Sequence, residues 1–439
     1  MAHVLGGVGS PSARDLIVRL GLYPVWESRV KHLSTGEMRK LMLAETLLKV
    51  PRADVLILDQ PFDGLDVGAR KQLEWMLGQL TRGFTRLLVE TGGRNDAFAY
   101  KTQVLLVANR LEQVFPDILT HMVLLRRSQA GKRGGGSEAM SVRDAPPKST
   151  ASLEMLPWDG GQADPDPLFE RLRSFFDEED GKRPQMRQEE ILSTVRALFD
   201  CQEADESSSR RSPAIDLRRV SIAYDQRVLL DAVDFTRHRH EHWVLLGPNG
   251  SGKSSLMRVL MQTPGHGLVS GDVFLGSDNL AGLEKTRGRV EAISTDQHIQ
   301  LLHASVSAAT DAGGKASAFD LIAGNAKSVE KAQLAAKLVG LPASILESRS
   351  LAELSQGEQK LVLIARALAS CPEVLILDEI THGLDPFNRA HVLSVIDAIG
   401  KHANAHLILI THHEDEITDC FTGVFEIRDK QLVERPRRQ

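Results

Sequence analysis

Cysteine is scarce in this 439-residue chain: Cys201, Cys371 and Cys420 are the whole set. Three widely spaced thiols, with no Cys-x-x-Cys pair and no Cys/His metal spacing, exclude a disulfide-stapled scaffold and a cysteine zinc site, and they fit a reducing compartment. Long apolar runs are missing as well. None reaches the roughly 18 residues of a spanning helix, and the N-terminus lacks the basic-then-apolar layout of a signal peptide. Nor is there an excess of positive charge. A net charge of −5 argues against a nucleic acid partner, a local patch aside. The expectation is a cytoplasmic protein, peripheral at a membrane if it works there, with any membrane-embedded partner on another chain.

What is present is length enough for two or three domains, and a repeat. Residues 33–66 read LSTGEMRKLMLAETLLKVPRADVLILDQPFDGLD, and residues 354–385 read LSQGEQKLVLIARALASCPEVLILDEITHGLD. Each copy begins Ser-x-Gly-Glu, continues as an apolar helix, breaks at Pro51 or Pro372, and enters a strand that ends in Asp. These are two copies of one α/β unit.

Between the copies the composition changes. Residues 128–212 contain GKRGGGSE, DAPPKST, DGGQADPDP and ADESSSRRS, with 17 acidic and 12 basic side chains, the profile of a linker. Two pieces within it, PLFERLRSFF and QEEILSTVRALF, have helical periodicity and are candidates for docking on a domain. The expected division is an incomplete first domain at 1–127, an acidic Gly/Ser/Pro-rich linker at 128–212 and a complete domain at 213–439.

The second half carries the chemistry. AIDLRRVSIAYDQRVLLDAVDF alternates like two strands around a turn at Asp225–Gln226. HWVLLGPNGSGKSSLMRVLM then supplies an apolar strand, a glycine-rich loop and a helix start. The loop fits the P-loop pattern across Gly247, Pro248, Asn249, Gly250, Ser251, Gly252, Lys253, Ser254 and Ser255. Backbone N–H groups of such a loop, at a helix N-terminus, point at phosphate oxygens, and its glycines let the main chain approach closely. Lys253 is positioned for the β- and γ-phosphates, and Ser254 for Mg²⁺.

In VLILDE, Asp378 ends an apolar strand where it can hold magnesium, and Glu379 is the candidate base for the attacking water. A later strand, LILIT, leads to His412, placed to meet the γ-phosphate. THHEDE at 411–416 and HRHEH at 238–242 are histidine-rich, but neither has the helical spacing of a zinc site.

P-loop, LSQGE, LILDE, GLD and ITHH in this order resemble an ATP-binding cassette (ABC) ATPase domain over residues 213–439. The resemblance implies an α/β P-loop NTPase fold with a helical signature subdomain, preceded here by an N-terminally incomplete second copy. It implies ATP and Mg²⁺ as cofactors, adenine stacking on Tyr224, and a magnesium contact from Gln297, although Thr295 lies closer to the family's spacing. More narrowly, STGEMRK, LDQPFDGLDVGAR and NRLEQVFP in the first half, with GLDPFNRA and HHEDE in the second, are similar to tandem cassettes of the ModF type, named for molybdate transport and photorepair.

The first half departs from a working cassette. No P-loop precedes LSTGE, which leaves a loss and an incomplete start as open readings. Gln60 stands where Glu379 stands in the second half, and Asn109 takes the place of His412. Cassettes of this family pair head to tail, so the resemblance sets Ser34 and Gly36 against the nucleotide at Lys253. Ser34 and Glu37 also have capping-box spacing, which is compatible, since a capped helix N-terminus binds anions. The function implied is an ATP-hydrolysing ABC subunit that powers a membrane-protein partner on another chain, a transporter by the resemblance; a ribosome- or DNA-associated tandem ATPase is the alternative, and the acidic linker weighs against it.

Overall fold

The computed structural model describes residues 17–23 except 19, 26–27, 35–49, 55–62, 67–81, 103–108, 121–127, 151–157, 166–180, 186–200, 213–224, 227–247, 251–280 except 264, 266 and 277, 289–294, 297–303 and 316–436. The chain divides into two compact units, residues 1–48, 60–70 and 185–439 in one, and 49–59 and 71–184 in the other.

In the smaller unit, β1 (Val55–Asp59) pairs in parallel with β2 (Gln103–Val107), with Val55 opposite Gln103 and Asp59 opposite Val107. Leu56 and Leu58 are buried while Val55 and Ile57 are exposed, the alternation of a sheet covered on one face. β3 (His121–Arg127) and β4 (Ala151–Pro157) form an antiparallel pair, and a helix runs over Asp166–Asp180. The acidic stretch therefore contains ordered elements, where its composition alone suggests a tether.

The larger unit holds a four-stranded antiparallel sheet and a six-stranded, mostly parallel one. Strands β5 (Pro213–Tyr224), β6 (Arg227–His238), β8 (Leu268–Leu275) and β9 (Asp278–Asn279) form the first, in the order β6-β5-β8-β9. Tyr224 pairs with Arg227, so β5 and β6 are adjacent antiparallel strands as the alternation predicts; the expected turn residues Asp225 and Gln226 lie outside the described residues. The second contains β7 (Trp243–Leu246), β10 (Val290–Ile293), β11 (Val374–Asp378), β12 (His406–Ile410), β13 (Gly423–Arg428) and β14 (Gln431–Glu434), in the order β10-β11-β12-β7-β13-β14. All neighbours run parallel except the last pair.

The near-continuous apolar runs WVLL, VLILD and HLILI are explained by burial on both faces. One set of side chains, with Val244, Leu246, Leu375, Leu377, Leu407 and Leu409, joins a core made with helices. The alternate set, with Trp243, Leu245, Val374, Ile376, Ile408 and Ile410, joins a second core made with the antiparallel sheet and the helix Lys253–Leu260.

The helix Gln188–Leu198 is part of that first core through Ile191, Val195 and Leu198, which recur every three to four residues on one face. Its C-terminal carbonyls are occupied: Lys331 Nζ donates to Ala197 O at 3.0 Å and to Leu198 O at 2.5 Å, and the Cys371 thiol donates to Leu198 O at 3.1 Å. Of the two linker pieces with helical periodicity, this one docks on the 213–439 half, because its apolar stripe has a core to join and its open end has donors. Among the described residues no helix is long and apolar enough to cross a membrane.

Candidate nucleotide site

Strand β7 delivers the chain to Gly247, and the helix Lys253–Leu260 carries it away. Gly247 (φ +144°) and Gly252 (φ +110°) lie where side chains are strongly disfavoured, so glycine is required at both ends of the loop. The Lys253 ammonium donates to Gly247 O at 2.7 Å, folded back across the loop it closes. Ser251 Oγ is buried and has no hydrogen-bond partner among the described residues. A buried hydroxyl of this kind costs free energy unless a ligand supplies its partner, and a phosphate oxygen would. Ser254 is exposed and Ser255 half-buried. Pro248, Asn249 and Gly250 lie outside the described residues.

Parallel pairing brings the other candidates to the same edge of the sheet. β12 lies between β11 and β7, so the C-terminal ends of the three strands, Asp378, Ile410 and Leu246, finish side by side. The crevice at the carboxyl ends of parallel strands is where ligands bind in such sheets. Asp378 closes β11 opposite Ile410, and the next amide, Glu379 N–H, donates to Ile410 O at 2.9 Å.

Glu379 sits in the left-handed region (φ +48°). Its two carboxylate oxygens face two histidines, His382 Nδ1 at 3.1 Å and His412 Nδ1 at 3.5 Å. Burial opposes its ionisation, but the hydrogen bonds and charge of His382, and then of His412, outweigh burial and hold the carboxyl well below the usual range. It is therefore an ionised acceptor at neutral pH. Beneath it, the buried Lys360 of the signature helix Gln356–Ala369 donates to Glu379 O at 3.2 Å. At the start of that helix Ser355 Oγ accepts from Glu358 N–H at 3.3 Å, and Glu358 Oε2 accepts from Ser355 N–H at 2.9 Å. This is a complete capping box, the arrangement the repeat predicts for Ser34 and Glu37.

Behind the histidines is a second carboxylate. Glu416 is fully buried and accepts from the hydroxyls of Thr381 and Thr411, the latter at 2.6 Å, while Arg389 Nη2 approaches it at 3.4 Å. Burial raises its pKa; the two threonine hydrogen bonds, with the nearby His382 and His413, bring it below the ordinary value. Asp385 caps the helix Pro386–His402 by accepting from Asn388 N–H at 2.9 Å, which gives the GLD motif a structural reason independent of nucleotide.

The remaining sequence candidates fall as follows. Tyr224 ends β5, and its ring packs so closely over Gly267 that a Cβ there would come within 2.7 Å of it. Gln297 is half-buried in a helical stretch at 297–303, with its backbone N–H donating to Ser294 Oγ at 3.3 Å. Gly36 belongs to the helix Thr35–Lys49. Ser34, Thr295 and Asn109 lie outside the described residues, as does Cys201; among the described residues Cys371 and Cys420 are not in a disulfide. Sequence reasoning missed His382 and Lys360. The only local signal for the first is that Thr-His recurs at 381–382 and 411–412.

A glycine-rich loop between a parallel strand and a helix, beside a strand ending in Asp-Glu, defines a P-loop nucleotide-binding protein. Residues 230–382 match the family described as ABC transporter. The chain is 28% identical over 436 residues to the ABC transporter ATP-binding protein ModF of Escherichia coli (strain K12), covering 95% of this chain and 74% of that protein. It is 30% identical over 230 residues to the ABC transporter ATP-binding protein YmeB of Lactococcus lactis subsp. lactis (strain IL1403), covering 51% of this chain and 87% of YmeB. With the ABC transporter ATP-binding protein YlmA of Bacillus subtilis (strain 168) it shares 33% over 223 residues, 50% of this chain and 83% of YlmA. The chain belongs to the ABC transporter ATP-binding family, and its likeness to ModF runs through both halves.

Proposed function

We propose that this chain hydrolyses ATP at one composite site and thereby drives a membrane-embedded partner carried on another polypeptide. The observation that carries the reading is Glu379: a carboxylate held ionised at the end of β11, paired with His412, on the same sheet edge as the P-loop. In this reading the loop amides and Lys253 bind the β- and γ-phosphates, and Tyr224 lies under the adenine. Glu379 accepts a proton from the attacking water, and His412 hydrogen-bonds the γ-phosphate and keeps the carboxylate aligned. A hydroxyl at Ser254 and a carboxylate at Asp378 are the hard oxygen donors that suit Mg²⁺, which neutralises phosphate charge when bound; Gln297 is the remaining candidate ligand.

The first half, residues 1–127, serves in this proposal as the covering half. Ser34 and Gly36 close over the nucleotide at Lys253, as the head-to-tail pairing of the family implies. Gln60, in place of a glutamate, orients water but accepts no proton, so one site turns over. The membrane partner rests on the names of the relatives, which are transporter ATP-binding proteins. Molybdate enters only through the ModF resemblance.

The test is steady-state ATPase with Mg²⁺ for the full chain and Glu379→Gln. Turnover should fall by about 10²–10⁴, the usual range for loss of a general base, while ATP binding persists. Equal turnover in the two proteins refutes the role of Glu379.

A further inference from the structure

We propose that His382, His412 and His413 form a binding site for a divalent transition-metal ion of the zinc class, separate from the magnesium donors Ser254 and Asp378. One ring nitrogen from each histidine lies within 4.8 Å of the others. The ring centroids are 5.2 Å apart for His382 and His412, 5.8 Å for His382 and His413, and 4.1 Å for His412 and His413. A tetrahedral ion with Zn–N bonds of about 2.0–2.1 Å holds its ligand nitrogens roughly 3.4 Å apart, so modest side-chain rotations close the triad. Three imidazoles select zinc, cobalt, nickel or copper over magnesium or calcium, and three protein ligands leave the fourth position open to water.

The surroundings have the supporting shell that such a site needs. Glu379 Oε2 lies 3.1 Å from Nδ1 of His382 and Glu379 Oε1 lies 3.5 Å from Nδ1 of His412, contacts that orient both rings, and in the proposed site the opposite nitrogen of each ligates. Glu416 accepts from Thr381 and Thr411, the residues immediately before His382 and His412, so one buried carboxylate sets the backbone of both. His413 N–H donates to Thr411 Oγ1 at 3.0 Å, tying the third histidine to the same network. Arg389 Nη2, 2.5 Å from Asp415 Oδ2 and 3.4 Å from Glu416 Oε1, balances the charge of these carboxylates from behind. The triad joins the turn after β11 to the end of β12, which no linear histidine motif reveals. On the reading of His412 made above, an ion held here keeps His412 from the γ-phosphate and slows hydrolysis.

The decisive measurement uses tag-free, chelator-stripped full-length protein without nucleotide. Zn²⁺ is followed by calorimetry and Co²⁺ by its visible spectrum. One equivalent should bind, with the intense bands of four-coordinate cobalt. His413→Asn alone, and His382→Asn with His413→Asn, should weaken affinity by about 100-fold or more, at least the effect of losing a supporting residue, with circular dichroism showing each variant folded. His238→Asn with His240→Asn, which alters the other histidine-rich surface, should leave affinity unchanged. Equal affinity in wild type and the triad variants overturns the site, as does loss of affinity in the His238/His240 variant or the absence of four-coordinate bands. ATPase rates with and without Zn²⁺ then give a separate result: inhibition should weaken in His413→Asn relative to its own zinc-free rate. Binding through the triad with no hydrolysis in any protein refutes the ATPase reading and leaves the metal site standing.

Discussion

Acid should destabilise the nucleotide-binding half well above the carboxylate range, because two buried histidines, His406 at the start of β12 and His242 just before β7, are held neutral. His406 begins β12 and is 1% exposed. Trp243 Nε1–H donates to its Nε2 at 3.1 Å, and its own Nδ1–H donates to Arg239 O at 3.3 Å. Those partners fix one tautomer: a proton added at Nε2 would meet the indole N–H head-on. Burial first, and then the positive charge of a protonated His242, lower the pKa of His406 to about 3. His242 is fixed in the opposite tautomer, with Leu407 N–H donating to Nδ1 at 3.1 Å and Nε2–H donating to Gly400 O at 2.8 Å, and burial lowers its pKa too.

For His406 the unfolded chain, with pKa near 6.5, binds the proton that the folded chain refuses. Stability is therefore full above pH 6.5 and is lost as pH falls from 6.5 toward 3. The loss from this group amounts to about 2 kcal/mol at pH 5 and approaches about 5 kcal/mol below pH 3. Urea titrations at pH 7.5 and 5, followed by Trp fluorescence and circular dichroism, measure it. At an m-value of about 3 kcal/mol/M the midpoint should drop by roughly 0.7 M from His406 alone. His406→Gln lowers stability at pH 7.5 but should shrink the pH 7.5-to-5 difference by about 2 kcal/mol, since the share of His242 is common to both proteins. An unchanged difference refutes the reasoning.

Gly400 lies inside the helix Pro386–His402, where Ala would ordinarily help, yet a Cβ there would stand 2.6 Å from Cys420 Cβ. Gly400→Ala should therefore destabilise by about 1–3 kcal/mol through overpacking, read from the same urea midpoint; a gain in stability refutes the close approach. For the composite site, Ser34→Arg should abolish ATPase and Ser355→Arg should cost far less, with specific activity independent of protein concentration. The reverse order, with activity rising with concentration, would mean that second halves pair between chains.

The parts of the molecule that were legible in the sequence are those fixed by local rules. The P-loop needs glycine at two positive φ angles, the capping box needs Ser and Glu three apart, and buried parallel strands need unbroken apolar runs; all three leave marks in one dimension. The docking of Gln188–Leu198 was half legible, since its stripe shows in the periodicity but its partners, Lys331 and Cys371, come from far along the chain. His382 and Lys360 were not legible. A lone His in ITHGLD and a Lys inside QKLVLIARAL acquire meaning only when the turn after β11 folds against β12 and the signature helix. Gln297 illustrates the opposite case, a family expectation carried by approximate spacing rather than by a local rule; its backbone N–H donates to Ser294 Oγ.

The repeat separates backbone requirement from chemistry at one point. Strand β1 and strand β11 have the same sequence, VLILD, and each is followed by a residue in the left-handed region, Gln60 at φ +46° and Glu379 at φ +48°. For a side chain other than glycine that conformation costs about 1–2 kcal/mol. If the strain served only to aim a catalytic carboxylate, the copy that carries an amide would have no use for it. Its presence in both copies assigns it instead to the sharp exit from a parallel strand, with the turn fixed by the fold and the reactivity by the side chain placed on it. In the second copy that side chain is a carboxylate that meets His382 and His412. In the first it is an amide, which keeps the geometry of the turn and gives up the ability to take a proton.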